Sequence, residues 1–190
     1  MLIDESTDRS QSMAQKLQQA NCDVVFSQTS AQQDLLEQIA QLEPDIIIID
    51  IDLPDRDTLE NLRCVQAAAP RPMVMFSQDD DGATIRRAVQ AGVSAYIVDG
   101  VQSQRVRPIL DAAIATFDQY SELQSELDQT RLQLVERKTI ERAKGILMKQ
   151  RQIEEAEAYQ LMRKTAMNQK KKLIDIASSI IYAAELLLKP

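Results

Sequence analysis

Histidine and tryptophan are absent from this chain of 190 residues, and cysteine occurs only at Cys22 and Cys64. Two isolated cysteines without any histidine exclude the zinc sites that Cys and His ligands build. The absence of histidine also removes the commonest general base and the Ser-His and Cys-His nucleophile pairs. We therefore expect a protein that is not an enzyme.

Long apolar runs are absent too, and none reaches the ~20 residues that a helix needs to cross a bilayer. The first five residues, MLIDE, have neither the basic region nor the apolar stretch of a secretory signal. These features predict a cytoplasmic protein without a membrane segment, in a compartment where disulfides rarely persist.

Positive charge is scarce in the first part of the chain and concentrated in the last. Residues 1–120 contain 9 Lys/Arg and 19 Asp/Glu, whereas residues 138–190 contain 11 Lys/Arg and 6 Asp/Glu. A basic end on an acidic protein indicates a polyanionic partner for that end. The alternative is a solvated helical surface that binds nothing.

Residues 1–120 alternate short strand-like segments with helical patterns. The run Ile46–Ile49 is typical of a strand buried on both faces, and Pro44 and Pro54 bracket it. The predicted strands are Leu2–Ile3, Val24–Ser27, Ile46–Ile51, Met73–Phe76 and Ala95–Val98, and the predicted helices are Ser10–Ala20, Ala31–Leu42, Thr58–Ala68, Thr84–Ala91 and Gln104–Phe117. This alternation predicts an α/β domain with a doubly wound, five-stranded parallel sheet.

A helical linker is predicted at residues 121–137. Positions at alternating steps of three and four form a seam that begins in the preceding helix: Val106, Ile109, Ala113, Thr116, Tyr120, Leu123, Leu127, Thr130 and Leu134. Such a seam is typical of a coiled coil and predicts a homodimer through the linker. One long helix that packs within its own chain is the alternative.

Residues 138–190 predict a small domain of three short helices, the first of which continues the linker. Glu154, Glu155 and Glu157 suit the first turn of the second helix, where the helix dipole favours acids. The third helix is predicted from Gln169 to Leu188 with Asn168 as its N-cap. The second helix is expected to turn these residues inward: Ala158, Tyr159, Leu161, Met162, Thr165 and Ala166.

Acidic residues fall at the carboxyl ends of three predicted strands, where open α/β sheets bind their ligands. They are Asp4 with Glu5, Asp50, and Asp99, and Ser77 follows a fourth strand. Several carboxylates at one edge suit Mg²⁺, so Asp4, Glu5 and Asp50 are candidate metal ligands, although no cofactor is required. The alternative is that the chain simply becomes polar where it surfaces.

The same edge carries an ordered set of short motifs: Asp4-Glu5, Asp50-Ile51-Asp52-Leu53-Pro54, Ser77 and Tyr96. In this order they resemble the receiver domain of bacterial two-component response regulators. The resemblance implies that Asp50 is the phosphoacceptor and that Asp4 and Glu5 hold Mg²⁺. It also implies that Ser77 and Tyr96 are the switch hydroxyl and the switch aromatic.

The fifth strand departs from the receiver pattern, because Asp99 and Gly100 stand where that family has a lysine and a proline. The lysine pairs with the phosphorylated aspartate, whereas a carboxylate at the same place repels a phosphoryl group. We therefore expect a degenerate receiver whose phosphate switch is weakened or lost.

A second ordered series covers residues 136–188. It runs through Ile140-Glu141-Arg142-Ala143-Lys144-Gly145-Ile146-Leu147-Met148, then Glu154–Tyr159, Leu161–Met167 and Lys172–Ala177. The series resembles the ANTAR domain, the RNA-binding antitermination module of bacterial regulators. Gly145 costs a helix about 1 kcal/mol relative to alanine, which is tolerable if another helix or an RNA strand must come close.

The basic residues of this module are the candidate RNA contacts. The predicted set is Arg142, Lys144, Gly145, Lys149, Arg151, Arg163, Lys164, Lys170, Lys171 and Lys172. Three lysines at the start of the third helix oppose its dipole, and an approaching phosphate would explain them. A solvated basic cap is the alternative. Tyr159 could stack on a base, although an aromatic residue at helical spacing is more often part of a core.

Over its whole length the chain is similar to the nitrate-assimilation antiterminators (NasT-like), as Pro72–Phe76 and Gly92–Val98 indicate. The resemblance implies binding of paired stem-loops in the leader of a nascent transcript. It also implies control by a nitrate- or nitrite-sensing protein partner. The alternative is a phosphorylation-dependent response regulator that acts through protein or DNA contacts. For DNA, the third helix is too apolar to lie in a major groove.

Overall fold

The computed structural model describes residues 1–4, 7–27, 32–100 and 102–188. They form two compact units, Met1–Ser121 and Glu122–Pro190, which we call the α/β unit and the helical unit. The predicted α/β fold with a parallel sheet, followed by a long helix and further helices, is confirmed.

The sheet of the α/β unit consists of parallel strands in the order β2-β1-β3-β4-β5. The strands are β1 (Leu2–Asp4), β2 (Phe26–Ser27), β3 (Ile47–Asp50), β4 (Met73–Ser77) and β5 (Ala95–Val98). In β3, Ile47, Ile48 and Ile49 are all buried, as the continuous β-branched run predicts for a strand covered on both faces. The edge strand β2 is shorter than the predicted Val24–Ser27, and Val25 and Phe26 are exposed there.

Helices cover both faces of the sheet. The helices of this unit are α1 (Thr7–Gln19), α2 (Gln32–Leu42), α3 (Arg56–Ala68) and α4 (Gly82–Gln90), together with the first part of α5 (Ser103–Arg151). Ile47 and Ile49 pack in one core with α2, α3 and α4, whereas Ile48 packs in a second core with α1 and α5. Alternate residues of one strand thus serve opposite faces, which is the period of a β-strand.

Two aspartates explain why α3 and α4 begin two residues earlier than predicted. The Thr58 N–H donates to Asp55 Oδ1 at 2.7 Å, so Asp55 is the N-cap of α3. Asp81 Oδ2 accepts from the N–H groups of Ala83 and Thr84 and caps α4 in the same way. A capping carboxylate satisfies amide donors that have no partner inside the helix.

Helix α5 is one continuous helix of 49 residues. Val106 and Ala113 are buried and Ile109 packs against them, so the first positions of the predicted seam belong to the core of the α/β unit. Leu123 and Leu127 are exposed, as are most residues from 122 to 138. The seam therefore divides into a packed part and an uncovered part.

The helical unit contains the end of α5 with α6 (Glu155–Gln169) and α7 (Leu173–Leu188). Its core includes Ala143 and Leu147 of α5, Ala158 and Met162 of α6, and Ala177 of α7. Glu155 and Glu157 lie in the first turn of α6, where they were predicted.

Two predictions about these helices are wrong. Asn168 lies inside α6 and does not cap α7, because α6 continues to a left-handed residue, Lys170, whose N–H donates to Ala166 O and Met167 O. Helix α7 then starts at Leu173, where Asp175 Oδ2 accepts from the Lys172 N–H. Tyr159 is 42% exposed and does not turn inward with Ala158. None of the described helices is long and apolar enough to span a membrane.

Candidate functional site

The acidic edge of the α/β unit forms where β1, β3 and β4 end. Asp4 of β1 stands opposite Asp50 of β3 in the strand register, and Asp50 stands opposite Phe76 of β4. A cavity of about 340 Å³ opens at this edge, and its lining includes Asp50, Ser77 and Asp99. The structure thus brings together the predicted site residues of three strands.

An arginine that the sequence analysis did not select lies in this pocket. Arg9 Nη2 is 3.1 Å from Asp4 Oδ1, and Nη1 forms an ion pair with Asp52 Oδ2. The Asp4 side chain is only 1% exposed. The available signal was the position of Arg9 five residues after Asp4, in the first turn of a helix that starts behind the acidic edge.

Asp50, the predicted phosphoacceptor, is half-buried. Burial raises the pKa of Asp50 above its usual range, and the nearby Asp4 carboxylate raises it further. The positive charges of Arg9 and Lys16 oppose this rise in pKa. Asp50 therefore sits in an environment that resists additional negative charge.

Ser77 and Tyr96 are both tied to the loops at this edge. The buried Ser77 hydroxyl donates to Asp52 O at 2.8 Å, and Ser77 Oγ accepts from the Asp79 N–H at 3.1 Å. The Tyr96 hydroxyl donates to Asp79 O at 2.9 Å. Partial burial raises the pKa of the Tyr96 phenol. The predicted switch hydroxyl and switch aromatic are thus joined through Asp79.

Asp99 occupies the predicted place of the lysine. It is exposed and has a left-handed backbone with φ 63°, and Gly100 follows with φ 71°. The Asp99 N–H donates to Ser77 O at 3.2 Å, and Asp99 lines the same cavity as Asp50. Lys16 of α1 also lines this cavity, so lysine reaches the pocket from a different element.

The fit of this edge to Mg²⁺ depends on which carboxylate oxygens are available. Asp4 and Asp52 already pair with Arg9, whose positive charge opposes a nearby cation. Within the described ranges, no three acidic or thiol side chains are grouped as a metal site requires. Glu5, the third predicted ligand, lies outside the described residues. Of the two predicted ligands that the structure describes, Asp4 thus already pairs with a cationic side chain.

The helical unit carries a second candidate site, made of exposed basic side chains. The exposed members of the predicted set are Arg142, Lys149, Arg151, Arg163, Lys164, Lys170, Lys171 and Lys172. Arg142 pairs with Glu185 of α7 at 2.8 Å. The other seven form no ion pair with any side chain that the structure describes. Lys170, Lys171 and Lys172 occupy the turn between α6 and α7, ahead of the helix that they were predicted to begin.

Lys144 differs from the rest of the predicted set, because its side chain is only 9% exposed. Its Nζ lies 2.7 Å from Glu141 of α5 and 2.6 Å from Glu155 of α6. These contacts raise the pKa of Lys144, and the Lys144 ammonium lowers the pKa of Glu155. Lys144 therefore joins α5 to the start of α6. The helix dipole also favours the Glu155 carboxylate at this end of α6.

Gly145 lies on the outer side of α5. A Cβ atom built at this position meets nothing within 4 Å beyond the helix's own nearby backbone. Lys138, Arg142 and Lys149 lie on the same side as Gly145 at spacings of three, four and seven residues, because a helix repeats every 3.6 residues. Close packing against another helix thus does not account for the glycine. Lys138 was not among the predicted RNA contacts, although its spacing from Arg142 can be read from the sequence.

Comparison with known families identifies both units. The response regulator receiver domain matches residues 1–111, more than half of the chain. The chain belongs to the response regulator receiver family. The ANTAR domain matches residues 128–181 of this response regulator. Its α/β unit is thus a receiver domain, and its helical unit contains an ANTAR domain, the module that binds RNA in bacterial antitermination regulators.

Three known proteins are similar to all or part of this response regulator. The transcriptional regulatory protein PdtaR of Mycobacterium tuberculosis is 25% identical over 170 residues, which cover 89% of this chain and 82% of PdtaR. A protein-glutamate methylesterase/protein-glutamine glutaminase of Symbiobacterium thermophilum is 32% identical, but the match covers 45% of this chain and 25% of that enzyme. The signal receiver domain of a modulated diguanylate cyclase from Desulfovibrio desulfuricans G20 has a TM-score of 0.53 at 18% identity, covering 63% of this chain and 94% of that domain.

Proposed function

We propose that this response regulator is an RNA-binding transcription antiterminator that binds stem-loops in the leader of a nascent transcript. In this proposal a ligand-sensing protein partner controls the regulator through its degenerate receiver domain. The ANTAR domain and the regulatory relative that spans nearly the whole chain support this function. Nitrate or nitrite is the proposed inducing ligand of the partner, on the resemblance to nitrate-assimilation antiterminators.

The observation that carries the RNA function is the set of exposed, unpaired cations on an otherwise acidic protein. Seven basic side chains of the helical unit have no acidic partner in the described part of the chain. Each cation that meets a phosphate releases a counterion, so such a surface favours a polyanion. A solvated surface would gain stability from pairing its charges with neighbours, as Lys144 does.

Gly145 adds a steric argument. Glycine inside a helix costs about 1 kcal/mol relative to alanine, and here the cost is not offset by close packing within the described structure. Gly145 lies between Arg142 and Lys149 on α5, so no side chain covers the backbone at this point of the basic surface. We therefore assign Gly145 to the close approach of an RNA strand. Tyr159, exposed on α6, is available to stack on an unpaired base.

The exposed seam of α5 supports a homodimer. Leu123, Leu127 and Leu134 are exposed at heptad spacing, and Tyr120 continues the seam toward the receiver domain. A second copy of the same helix would bury these side chains in a coiled coil. Two copies would also present two ANTAR domains to a pair of hairpins.

The test is binding of the full-length protein to a two-hairpin leader RNA by fluorescence anisotropy, titrated with salt beside duplex DNA of equal length. We expect tighter binding of the hairpin RNA, with an affinity that falls steeply as salt rises. Equal affinity for RNA and DNA would contradict the proposal. Adding the ligand-free partner protein should weaken RNA binding, and adding the partner's ligand should restore it.

Control by a partner, as opposed to phosphorylation, is tested with Asp50→Asn. The acidic pocket already places Asp4, Asp52 and Asp99 near Asp50, so an added phosphoryl group is disfavoured. We expect the variant to bind RNA and to terminate or read through transcription in vitro as the wild type does. Loss of function in the variant, with labelling of Asp50 by acetyl phosphate in the wild type, would favour the phosphorylation-dependent alternative.

A further inference from the structure

We propose that Arg9 is the resident cation of the receiver pocket. Its guanidinium takes the place that a divalent cation is expected to fill, and through Asp52 it holds the switch hydroxyl of Ser77. The inference concerns the receiver domain alone and does not depend on the RNA function.

The first support is that Arg9 pairs with Asp4, one of the carboxylates predicted to hold the metal. Nη2 is 3.1 Å from the buried Asp4 carboxylate, and Nη1 pairs with Asp52 across the mouth of the pocket. The planar fork of a guanidinium can hold two carboxylates at once and is always charged. Mg²⁺ bound at Asp4 would have to share that carboxylate with Arg9 and would meet its positive charge.

The second support is that α1 supplies the pocket with both of its cations. Arg9, Ser12 and Lys16 line the cavity, because residues three, four and seven apart share one side of a helix. Helix α1 follows β1 directly in the chain, and Asp4 is the last residue of β1. Positive charge therefore reaches Asp50 from α1, whereas the loop after β5 contributes Asp99.

The third support is a continuous series of contacts from Arg9 to the switch residues. Arg9 pairs with the Asp52 side chain, and Asp52 O accepts from the Ser77 hydroxyl at 2.8 Å and from the Gln78 N–H at 3.2 Å. The Asp79 N–H donates to Ser77 Oγ, and Asp79 O accepts from the Tyr96 hydroxyl.

These contacts connect Arg9 to Ser77 through Asp52, and Ser77 to Tyr96 through Asp79. Arg9 is thus a positioning residue for the β3 and β4 loops, because Asp52 is the residue that links it to Ser77. The pocket is then held in one arrangement whatever the concentration of divalent cations.

Metal binding tests the first part of the proposal. Full-length wild type, Arg9→Gln and Arg9→Lys are titrated with Mn²⁺, and free Mn²⁺ is measured by electron paramagnetic resonance. Arg63→Gln is the matched control, since Arg63 is an exposed arginine of α3 with no ion pair among the described residues. We expect wild type, Arg9→Lys and the control to bind no Mn²⁺ at millimolar concentration. Arg9→Gln should bind Mn²⁺ in the same titration, with a dissociation constant at least about tenfold below the lower limit set by the wild type, because a repelling charge is gone.

Amide hydrogen exchange tests the second part. We expect faster exchange at Gln78 and Asp79 in Arg9→Gln and in Arg9→Lys, because a single ammonium cannot hold Asp4 and Asp52 together. The control should exchange as the wild type does. Mn²⁺ binding by the wild type, or unchanged exchange in Arg9→Lys, would overturn the proposal. If Arg9→Gln does not fold, the wild type and Arg9→Lys still decide both parts.

Discussion

The receiver domain and the helical unit differ in how far their charged side chains are buried and ion-paired. In the receiver, the acidic edge is half-buried and its Asp4 and Asp52 are paired with Arg9. In the helical unit, most basic side chains are exposed and form no ion pair among the described residues, whereas Lys144 is buried and paired and Arg142 is exposed and pairs with Glu185. A charged side chain that is paired inside the fold is already neutralised. An exposed side chain without an ion pair can still bind a ligand of opposite charge.

The comparison teaches that charge type by itself does not identify a binding residue. Lys144 and Lys149 both lie on α5 in the basic segment, yet only Lys149 is available to a phosphate. Asp50 and Asp99 are both acids at the sheet edge, yet only Asp50 is half-buried beside Asp4. Substitutions of paired and of unpaired charged residues should therefore have different effects.

The largest effect is expected from removing the three lysines of the α6–α7 turn together. Lys170→Ala, Lys171→Ala and Lys172→Ala in one variant should weaken hairpin RNA binding by about 10- to 100-fold at moderate salt. The slope of log affinity against log salt should fall by about two to three, since each lost phosphate contact removes 0.7–0.9 of a unit. Neutralising Arg56, Arg63 and Arg87 of the receiver changes the charge equally and should leave the slope unaltered. Equal losses in both variants would mean that only net charge matters.

Gly145→Ala is expected to separate stability from binding. Alanine should raise the stability of α5 by about 1 kcal/mol, or about 2–4 °C in melting temperature. The added methyl group should weaken RNA binding by about tenfold if an RNA strand approaches the backbone there. Gly82→Ala, in the first turn of α4, is the control for a helix glycine outside the basic surface. Unchanged RNA affinity in Gly145→Ala would remove this residue from the site.

Leu127→Lys tests the seam of α5. If the proposed dimer forms, a charge in a core position of its coiled coil should convert it to a monomer at micromolar concentration in sedimentation equilibrium, because the buried ammonium has no partner. Leu132→Lys is matched to it, since Leu132 is equally an exposed leucine of α5 but lies off the seam. Dissociation in both variants, or in neither, would contradict the seam.

Lys144→Ala should lower the melting temperature of the helical unit by a few degrees, whereas Lys149→Ala should change RNA affinity and not stability. The pKa of Glu155 is lowered by Lys144, so the pair contributes stability above the unfolded pKa of Glu155 and loses it as pH falls through the lower folded value. The difference between wild type and variant should therefore shrink in acid. The pKa of Lys144 is raised, so the same difference should also shrink at high pH. Thermal unfolding monitored by circular dichroism across pH checks both limits.

The smallest effect is expected for Asp50→Asn. The pKa of Asp50 is raised by burial and by Asp4, so its ionisation opposes folding at pH values above the usual aspartate pKa. The variant should melt slightly higher than the wild type at pH 7 and at the same temperature at pH 3. Asp80→Asn, at an exposed site, should show no difference at either pH. A lower melting temperature for Asp50→Asn at pH 7 would contradict the stated sign.

Periodicity and turn chemistry were enough to predict most elements of this fold. Strand β5 has its predicted bounds, and β3 lies within the predicted segment. The α6–α7 junction was predicted wrongly, because Asn168 suits an N-cap but the chain instead ends α6 with a left-handed lysine. Local propensity cannot decide between two such endings, since packing of α6 against α7 sets where the turn falls.

The site was predictable only where strand order fixes position. Asp4, Asp50 and Ser77 end parallel strands, so sequence placed them at one edge. Arg9 lies on a helix, and which side of α1 faces the pocket depends on how Met13 and Leu17 pack against the sheet. In the sequence, Lys144 cannot be distinguished from the other basic residues of α5. Its ion pair with Glu155 forms only because α6 packs beside α5.

The alternation of strands and helices, the acidic receiver, the basic end and the two family resemblances all follow from the amino-acid sequence alone. These properties depend on residues close together in the chain and on composition. Only the tertiary structure decided which charges are paired, that Arg9 occupies the acidic pocket, and that Gly145 faces open space. The reason is that pairing depends on contacts between separate elements, and side-chain distances of about 3 Å are set by packing and not by sequence spacing.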